Sequence, residues 1–396
     1  MKAVILAAGQ GTRMGPLTHN RPKAMLPIAN MPLLSHIIFS ARDAGIREFV
    51  IVVGFEQEII KQYFGDGSSM NVNIEYAYQK EQLGTADAVR SAKGFVEDRF
   101  LMLNGDIIVS SAHISKMIQQ SRNMVITARQ VDNPSEFGVL EVQDDRVLHI
   151  IEKPEKPPTN LANAGIYIFP LEIFDAIDKT VLSSRNEFEI TESIQLLIDE
   201  GVDVGFLTLS ENWLDIGRPW DLLDANEYFL SCLLPEIKGE IEPLVTLKGN
   251  VSVGEGTIIR NGSYIVGPVI IGNNCDIGPN CYIRHGTNIG NNVHIGNAVE
   301  IKNSIIMNGT HIGHLSYVGD SIIGEKCNFG AGTKVANLRH DGRTIRVLLK
   351  GKLMDSGRRK FGTIMGDDVH TGINSMINVG AVVENGVKIL PGEFVK

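Results

Sequence analysis

Apolar positions along this chain repeat with two different periods, and the change comes near residue 250. Before it, short β-rich runs alternate with amphipathic ones. "AVILAA", "EFVIVVG", "VNIEYAY", "FLMLNGD" and "MVITARQV" predict strands; "LLSHIIFSARDAG", "EIIKQYFG", "TADAVRSAKGFV" and "AHISKMIQQS" predict helices between them. Runs apolar on both faces, each followed by an amphipathic crossover, predict a mainly parallel, doubly wound α/β sheet. The run "WDLLDANEYFLSCLL" predicts a helix that closes this half at residue 230, and residues 231–248, including "PEIKGEIEP", read as helix end and linker.

From 249 to 396 the pattern is different. Val253, Ile259, Ile265, Ile271, Ile277, Ile283, Ile289, Ile295, Ile301 and Met307 fall at every sixth position, often with glycine directly after, as at Gly254, Gly272 and Gly290. Helices repeat near 3.6 and strands at 2, so a period of six predicts short strands joined by tight turns. That is a hexapeptide-repeat β-helix in which three hexads form one triangular coil. Cys275 and Cys281 then take equivalent inward positions. The first break in the period is read at "GHLSYVGDS", followed by a longer excursion, "ANLRHDGRTIRVLLKGKLMDSGRRKFG", before the repeat resumes. Loops that leave a strict stack are where function concentrates.

Composition narrows the picture. The chain has 396 residues, 43% hydrophobic and 21% charged, enough for two domains with buried cores. A net charge of −9 argues against general nucleic-acid binding. No apolar run approaches the roughly 18 residues of a membrane span, and "MKAVILAAG" is too short to be a signal peptide. The four cysteines lack C-x-x-C spacing, which fits reduced thiols in a cytoplasmic protein.

Charge is unevenly placed. No acidic residue precedes Asp43, while Lys2, Arg13, Arg21, Lys23 and Arg42 all do. Among them lies a glycine-rich loop directly after the first strand. It lacks the G-x4-G-K-[ST] of a P-loop. It also misses the dinucleotide fingerprint, since the third glycine comes late at Gly15 and no acidic residue follows about 20 positions on. A strand running into such a turn exposes N–H groups that wrap phosphate, with Arg13 and Lys23 to neutralise a polyphosphate chain. Asp106 of "LMLNGD" and Asp215 of "NWLDIG" stand at strand ends, where two carboxylates suit a Mg2+ ion bridging phosphates.

"LAAGQGTRMGPLTHNRPKAMLP" resembles the signature of sugar-1-phosphate nucleotidylyltransferases, and the likeness continues in order through "QKEQLGTADAV", "LNGD", "FGVLEV", "EKP", "NAGIYIF" and "WLDIGRP". The resemblance covers residues 1–230 and implies an α/β Rossmann-like nucleotidyltransferase domain. It implies nucleotide contacts from Ala8, Gly9, Gly11, Gln79, Gly84 and Thr85, the last three of these at the base. Gly138, Glu152, Lys153 and Asn163 would hold the sugar phosphate, and Asp106 and Asp215 a Mg2+ ion. In the implied reaction a sugar-1-phosphate oxygen attacks the α-phosphorus of a nucleoside triphosphate and pyrophosphate leaves. Arg13 and Lys23 offset the repulsion between two anions.

The run from Arg284 to Asn337 resembles, without gaps, the acetyltransferase half of bifunctional N-acetylglucosamine-1-phosphate uridylyltransferase/glucosamine-1-phosphate acetyltransferases. This implies a left-handed parallel β-helix with His314 as general base, a role that a ring titrating near neutrality suits. It further implies sugar-phosphate contacts from Arg284, Lys302, Tyr317 and Asn328, and acetyl-CoA contacts from Ala331, Asn337 and Arg343. Arg343 stands where the family has a lysine, and Leu338 where it commonly has a tyrosine. Asp215 resembles the thymidylyltransferase branch instead of the asparagine of the bacterial bifunctional enzyme. The combination resembles archaeal bifunctional enzymes that use UTP or dTTP and assemble as homotrimers or multiples of them. Two alternatives stay open at this level: a monofunctional nucleotidylyltransferase whose β-helix is an assembly module, and a non-catalytic scaffold subunit, which can lack the metal carboxylates present here.

Overall fold

The computed structural model describes residues 1–210 and 213–396. By its internal contacts the chain divides into two units. The first comprises Met1–Gln10, Arg21–Met25 and Leu33–Asp215; the second comprises Gly11–Asn20, Leu26–Pro32 and Ile216–Lys396.

The first unit is built on nine strands: β1 (Ala3–Leu6), β2 (Glu48–Val53), β3 (Asn73–Tyr78), β4 (Phe100–Asn104), β5 (Met124–Gln130), β6 (Gly138–Gln143), β7 (Arg146–Glu152), β8 (Leu161–Phe169) and β9 (Val204–Thr208). They lie in the order β3-β2-β1-β4-β8-β5-β9-β7-β6. Alternate residues bury opposite faces. Val4, Val52, Met102, Ile126 and Tyr167 share one cluster with Ala86, Val89, Ile190 and Ile194, while Ile5, Ile51, Leu101 and Ile168 between them are buried as well. Strands apolar on both faces are what the crossover reading requires. The parallel pattern is incomplete, however. β8 runs antiparallel between β4 and β5, and β7 is antiparallel to both β6 and β9. The reason is local: β6 and β7 form a hairpin, so the chain returns to the sheet without a helical crossover. The helix predicted over residues 85–96 ends at Arg90.

The second unit is a stack of three parallel sheets, the triangular coil predicted from the hexads and the left-handed β-helix that the resemblance implies. Inward rungs run Ile259, Ile277, Ile295, Ile312 and Phe329 on the first sheet. They run Ile265, Ile283, Ile301 and Val318 on the second. On the third they run Val253, Ile271, Ile289, Ile306 and Ile323. The helix Asp221–Ser231, expected to close the first half, lies in this second unit, where Asn226 donates to the Gly286 carbonyl at 2.9 Å and accepts from the Ala29 amide at 3.0 Å.

The register corrects the expected period. Ile283 pairs with Ile301, a full coil of 18, but Ile289 pairs with Ile306, a coil of 17. Ile306, not Met307, is therefore the inward rung, and the repeat first shortens at the corner around Asn303 and Ser304. The same corner is short again one coil later, between Val318 and Ile323, and one coil beyond that it releases the long excursion, whose hairpin pairs Arg346–Leu349 with Lys352–Asp355. His314 is not at a break: the spacing from Ile312 to Val318 is a regular six.

Candidate active sites

In the first unit the candidate residues gather at the ends of β1, β3 and β4. The Leu6 carbonyl at the end of β1 accepts from the Gly105 amide at 2.9 Å, and a Cβ at 105 would stand 2.2 Å from that oxygen. Only glycine allows β4 to run this close to β1, and the next residue is Asp106. Lys23 Nζ lies 2.7 Å from Asp106 Oδ2. Asp215 pairs with Ile107 in a two-stranded ladder, so it stands across from the residue that directly follows Asp106 in the turn after β4. The Ala8 carbonyl accepts from Gln82 Nε2 at 3.0 Å, tying the glycine loop to the "QLGTA" turn, and a Cβ on Gly9 would meet nothing within 4 Å. Gln79 donates to the Gly84 carbonyl and to Asp87, while the Thr85 hydroxyl accepts from the Ile190 amide at 3.0 Å.

Gly138, Glu152 and Asn163 also converge. A Cβ at 138 would lie 3.0 Å from Glu152 Oε2 and 3.6 Å from the Asn163 Cβ. Glu152 accepts from Arg185 at 3.0 Å and from the Thr191 hydroxyl at 3.2 Å; Lys153, in a left-handed conformation at φ 42°, reaches it at 3.8 Å. Asn163 donates to the Tyr167 hydroxyl at 2.6 Å and accepts from the Gly165 amide. Full burial pushes the Tyr167 phenol well above its usual range, so it stays a neutral partner. Sequence reasoning missed Arg185 and Thr191. Neither falls within a quoted motif, and only the fold carries them to Glu152. Gly11, at φ 73°, and the exposed Arg13 belong to the segment Gly11–Asn20 of the second unit.

Among the described residues no group of three or more His, Cys, Asp or Glu forms a metal cluster. Two hard carboxylates, one on a short strand and one in the turn that leads into its partner strand, nevertheless fit Mg2+, which takes one or two protein oxygens and completes its shell with water and substrate phosphates.

In the β-helix the shortened corner collects charge. Lys302 and Asp320, 8% and 3% exposed, approach to 3.3 Å. Asp320 also accepts from Asn303 at 2.9 Å and from Asn337 at 2.5 Å, and Asn337 donates to the Tyr317 hydroxyl at 3.0 Å. A Cβ at Gly319 would fall 2.5 Å from that hydroxyl and 2.6 Å from Asn337 Nδ2, so a side chain there would displace both groups. Burial, together with the Asp320 charge, raises the Tyr317 phenol. On the coil above, Arg284 pairs with Glu300 at 2.9 Å and lies over the Tyr282 ring at 5.5 Å. Arg284, Lys302 and Asn337 thus line one end of the second sheet, and Tyr317, the first residue of its strand and level with Glu300, reaches that end through its hydroxyl. Asp320 and Glu300 were missed in the sequence, although Asp320 lies within the motif "HLSYVGDS".

His314 is exposed at the opposite end of the same sheet, in a regular corner where its carbonyl accepts from the Gly332 amide at 2.9 Å. Beside it opens a cavity of about 600 Å3 lined by Leu315, Ala331, Gly332, Lys334, Ile373, Asn374 and Met376. Asn328 does not join this group. It faces outward on the first sheet, in register between His311 and His370. Arg343 and Leu338 are exposed on the excursion.

A nucleotidyl transferase family model matches residues 2–231, and a model described as the GMPPB C-terminal domain matches residues 265–390. The chain is 43% identical to the bifunctional protein GlmU of Methanococcus maripaludis, covering 98% of this chain and 96% of that one. It is 42% identical to the bifunctional sugar-1-phosphate nucleotidylyltransferase/acetyltransferase of Sulfurisphaera tokodaii, covering 100% and 97%. The chain belongs to this family of bifunctional enzymes. Among solved structures, a Bacillus anthracis protein described as a glucose-1-phosphate thymidylyltransferase is 30% identical with a TM-score of 0.53, covering 58% of this chain and 94% of that one. A UDP-glucose pyrophosphorylase at 23% identity and a TM-score of 0.54 shares the fold. As a family member the protein is an enzyme with a nucleotidylyltransferase half and an acetyltransferase half, and the bifunctional names of its full-length relatives weigh against a monofunctional chain with a passive β-helix.

Proposed function

We propose that this enzyme makes UDP-N-acetylglucosamine in two steps, acetylating glucosamine-1-phosphate with acetyl-CoA and then coupling the product to UTP, with dTTP as the alternative triphosphate. The observation that carries the acetyltransferase reading is the buried Lys302–Asp320 pair with Tyr317 and Asn337 around it. Burying an ion pair contributes little to stability, so a coil that only assembled subunits would gain nothing from one. Function gives it a purpose.

In acetyl transfer the sugar amine attacks the thioester carbonyl, a C–N bond forms, the C–S bond breaks and CoA leaves as thiol. His314 takes the proton that the nitrogen sheds. Arg284, Lys302, Tyr317 and Asn328 contact the sugar phosphate, and Ala331, Asn337 and Arg343 lie toward acetyl-CoA. Asn328 sits on a different sheet from Arg284 and Lys302, and two faces of a triangular prism point apart. One prism therefore cannot close both around a single substrate, which supports a homotrimer with sites shared between copies.

In nucleotidyl transfer the phosphate oxygen of N-acetylglucosamine-1-phosphate attacks the α-phosphorus in line and pyrophosphate departs. Lys23 neutralises charge, with the backbone amides of Ala8 and Gly9 along the triphosphate. Gln79, Gly84 and Thr85 face the base; Gly138, Glu152, Lys153 and Asn163 hold the sugar phosphate. Asp106 and Asp215 would hold Mg2+, which supplies charge neutralisation on the phosphates when bound. No helix among the described residues is long and apolar enough to cross a membrane.

A coupled assay tests the reading. His314→Ala should lose thiol release from acetyl-CoA while keeping pyrophosphate release. Wild-type enzyme that releases no thiol with any aminosugar-1-phosphate would overturn the acetyltransferase assignment.

A further inference from the structure

We propose that Asp87 sets base selection in the nucleotidyl site by locking the amide of Gln79 in one orientation, so that the site accepts uracil or thymine and rejects cytosine. The inference rests on the reading that Gln79 faces the base.

Gln79 directly follows β3 and is only 5% exposed, with its backbone amide held on the Val53 carbonyl at 2.9 Å. Its side-chain nitrogen Nε2 donates to two oxygens, Asp87 Oδ2 at 2.9 Å and the Gly84 carbonyl at 3.3 Å. Both partners are acceptors that carry no proton to give. A flipped amide would turn its own oxygen onto a carboxylate and a carbonyl, losing two hydrogen bonds and gaining lone-pair repulsion. The orientation is therefore decided by chemistry.

Each acceptor is itself held. The other carboxylate oxygen of Asp87 pairs with Arg90 Nη2 at 3.1 Å, and the Arg90 guanidinium lies over the Phe188 ring at 5.3 Å. Gly84 stands at φ 112°, and a Cβ there would come within 2.6 Å of the Phe188 carbonyl, so the turn that presents its oxygen is open only to glycine. The remaining polar atom of Gln79, the carbonyl oxygen Oε1, accepts no hydrogen bond from any described residue.

A lone acceptor facing the base reads its Watson–Crick edge. Uracil and thymine carry an N–H at N3, which such an oxygen accepts. Cytosine carries an unprotonated N3, which places lone pair against lone pair. Sites that leave a buried polar group unpaired discriminate far more strongly than sites that differ only in shape. Asp87 touches no substrate; it acts through Gln79 as a positioning residue.

The test compares kcat/KM for UTP and CTP on one enzyme preparation, so that the active fraction cancels. Wild type should favour UTP by at least about a hundredfold. Asp87→Ala frees the amide to turn, and the UTP:CTP ratio should fall about tenfold or more. In a Gln79→Leu background, Asp87→Ala should change the ratio no further. An unchanged ratio in Asp87→Ala, with both nucleotides slowed alike, would reduce Asp87 to a structural role and overturn the proposal. A further fall in the Gln79→Leu background would overturn it too, because Asp87 would then act without Gln79. Wild type that turns over neither triphosphate would overturn the nucleotidyl reading along with it.

Discussion

The two units hold their candidate residues by different physical means. In the α/β unit each side chain stands on a strand end or loop and is fixed by a few specific ties, such as Lys23 to Asp106 or Glu152 to Arg185 and Thr191. In the β-helix, position is set by register. Every coil repeats the one before, and a single residue lost at the Asn303 corner shifts the next strand by one place and draws Lys302, Asp320 and Asn337 together. A loop-built site can vary one residue at a time. A register-built site cannot, because each rung inherits the alignment of its neighbour.

The largest effects should separate the two chemistries. His314→Ala is expected to cut acetyl transfer by about 10²- to 10⁴-fold, the usual contribution of a general base, with nucleotidyl transfer unchanged. Loss of both activities together, measured by thiol and pyrophosphate release, would break the division between units. Asp106→Asn should do the converse, lowering nucleotidyl transfer by about 10²- to 10³-fold and leaving acetyl transfer intact. Full nucleotidyl activity in that variant would remove Asp106 from the site.

Stability draws the contrast next. Asp320→Ala leaves Lys302 buried without its partner and should destabilise the β-helix by about 3 kcal/mol in denaturant unfolding, whereas Asp320→Ala with Lys302→Met should recover most of that loss. No recovery would mean that Asp320 matters through Asn303 and Asn337 instead of charge.

The smallest effect concerns thiols. Burial pushes Cys281 up to about 11 and Cys327 up to about 12. Their folded values lie above the ordinary thiol range, so the stability they carry is complete at neutral pH and drains away as pH rises from about 9 toward 12. Cys327→Thr, copying Thr310 on the coil above, whose hydroxyl accepts from the Cys327 amide at 3.1 Å, should be tolerated and should flatten that alkaline loss. At pH 7.5 a thiol reagent should label exposed Cys232 well before the other three.

Much of this was legible in the chain. The strand-to-glycine-loop start and the hexads were readable because each depends on residues close together or on strict repetition. What escaped was long-range. The spacing of six runs through Met307 on paper, yet Ile306 is the rung, because a one-residue deletion beside another isoleucine leaves the apolar pattern nearly intact. His314 looked like the break because its motif is unusual, although its corner is regular.

The sequence by itself determined two folds and two families of chemistry, since apolar spacing governs which faces can be buried and short motifs carry their own turn geometry. Only the tertiary structure decided which groups meet: Asp87 with Gln79, Arg185 with Glu152, Asp320 with Lys302 and Asn337. The physical reason is that such pairs are chosen by the desolvation of polar atoms in a packed interior. That cost is incurred between residues far apart in the chain and leaves no local pattern to read.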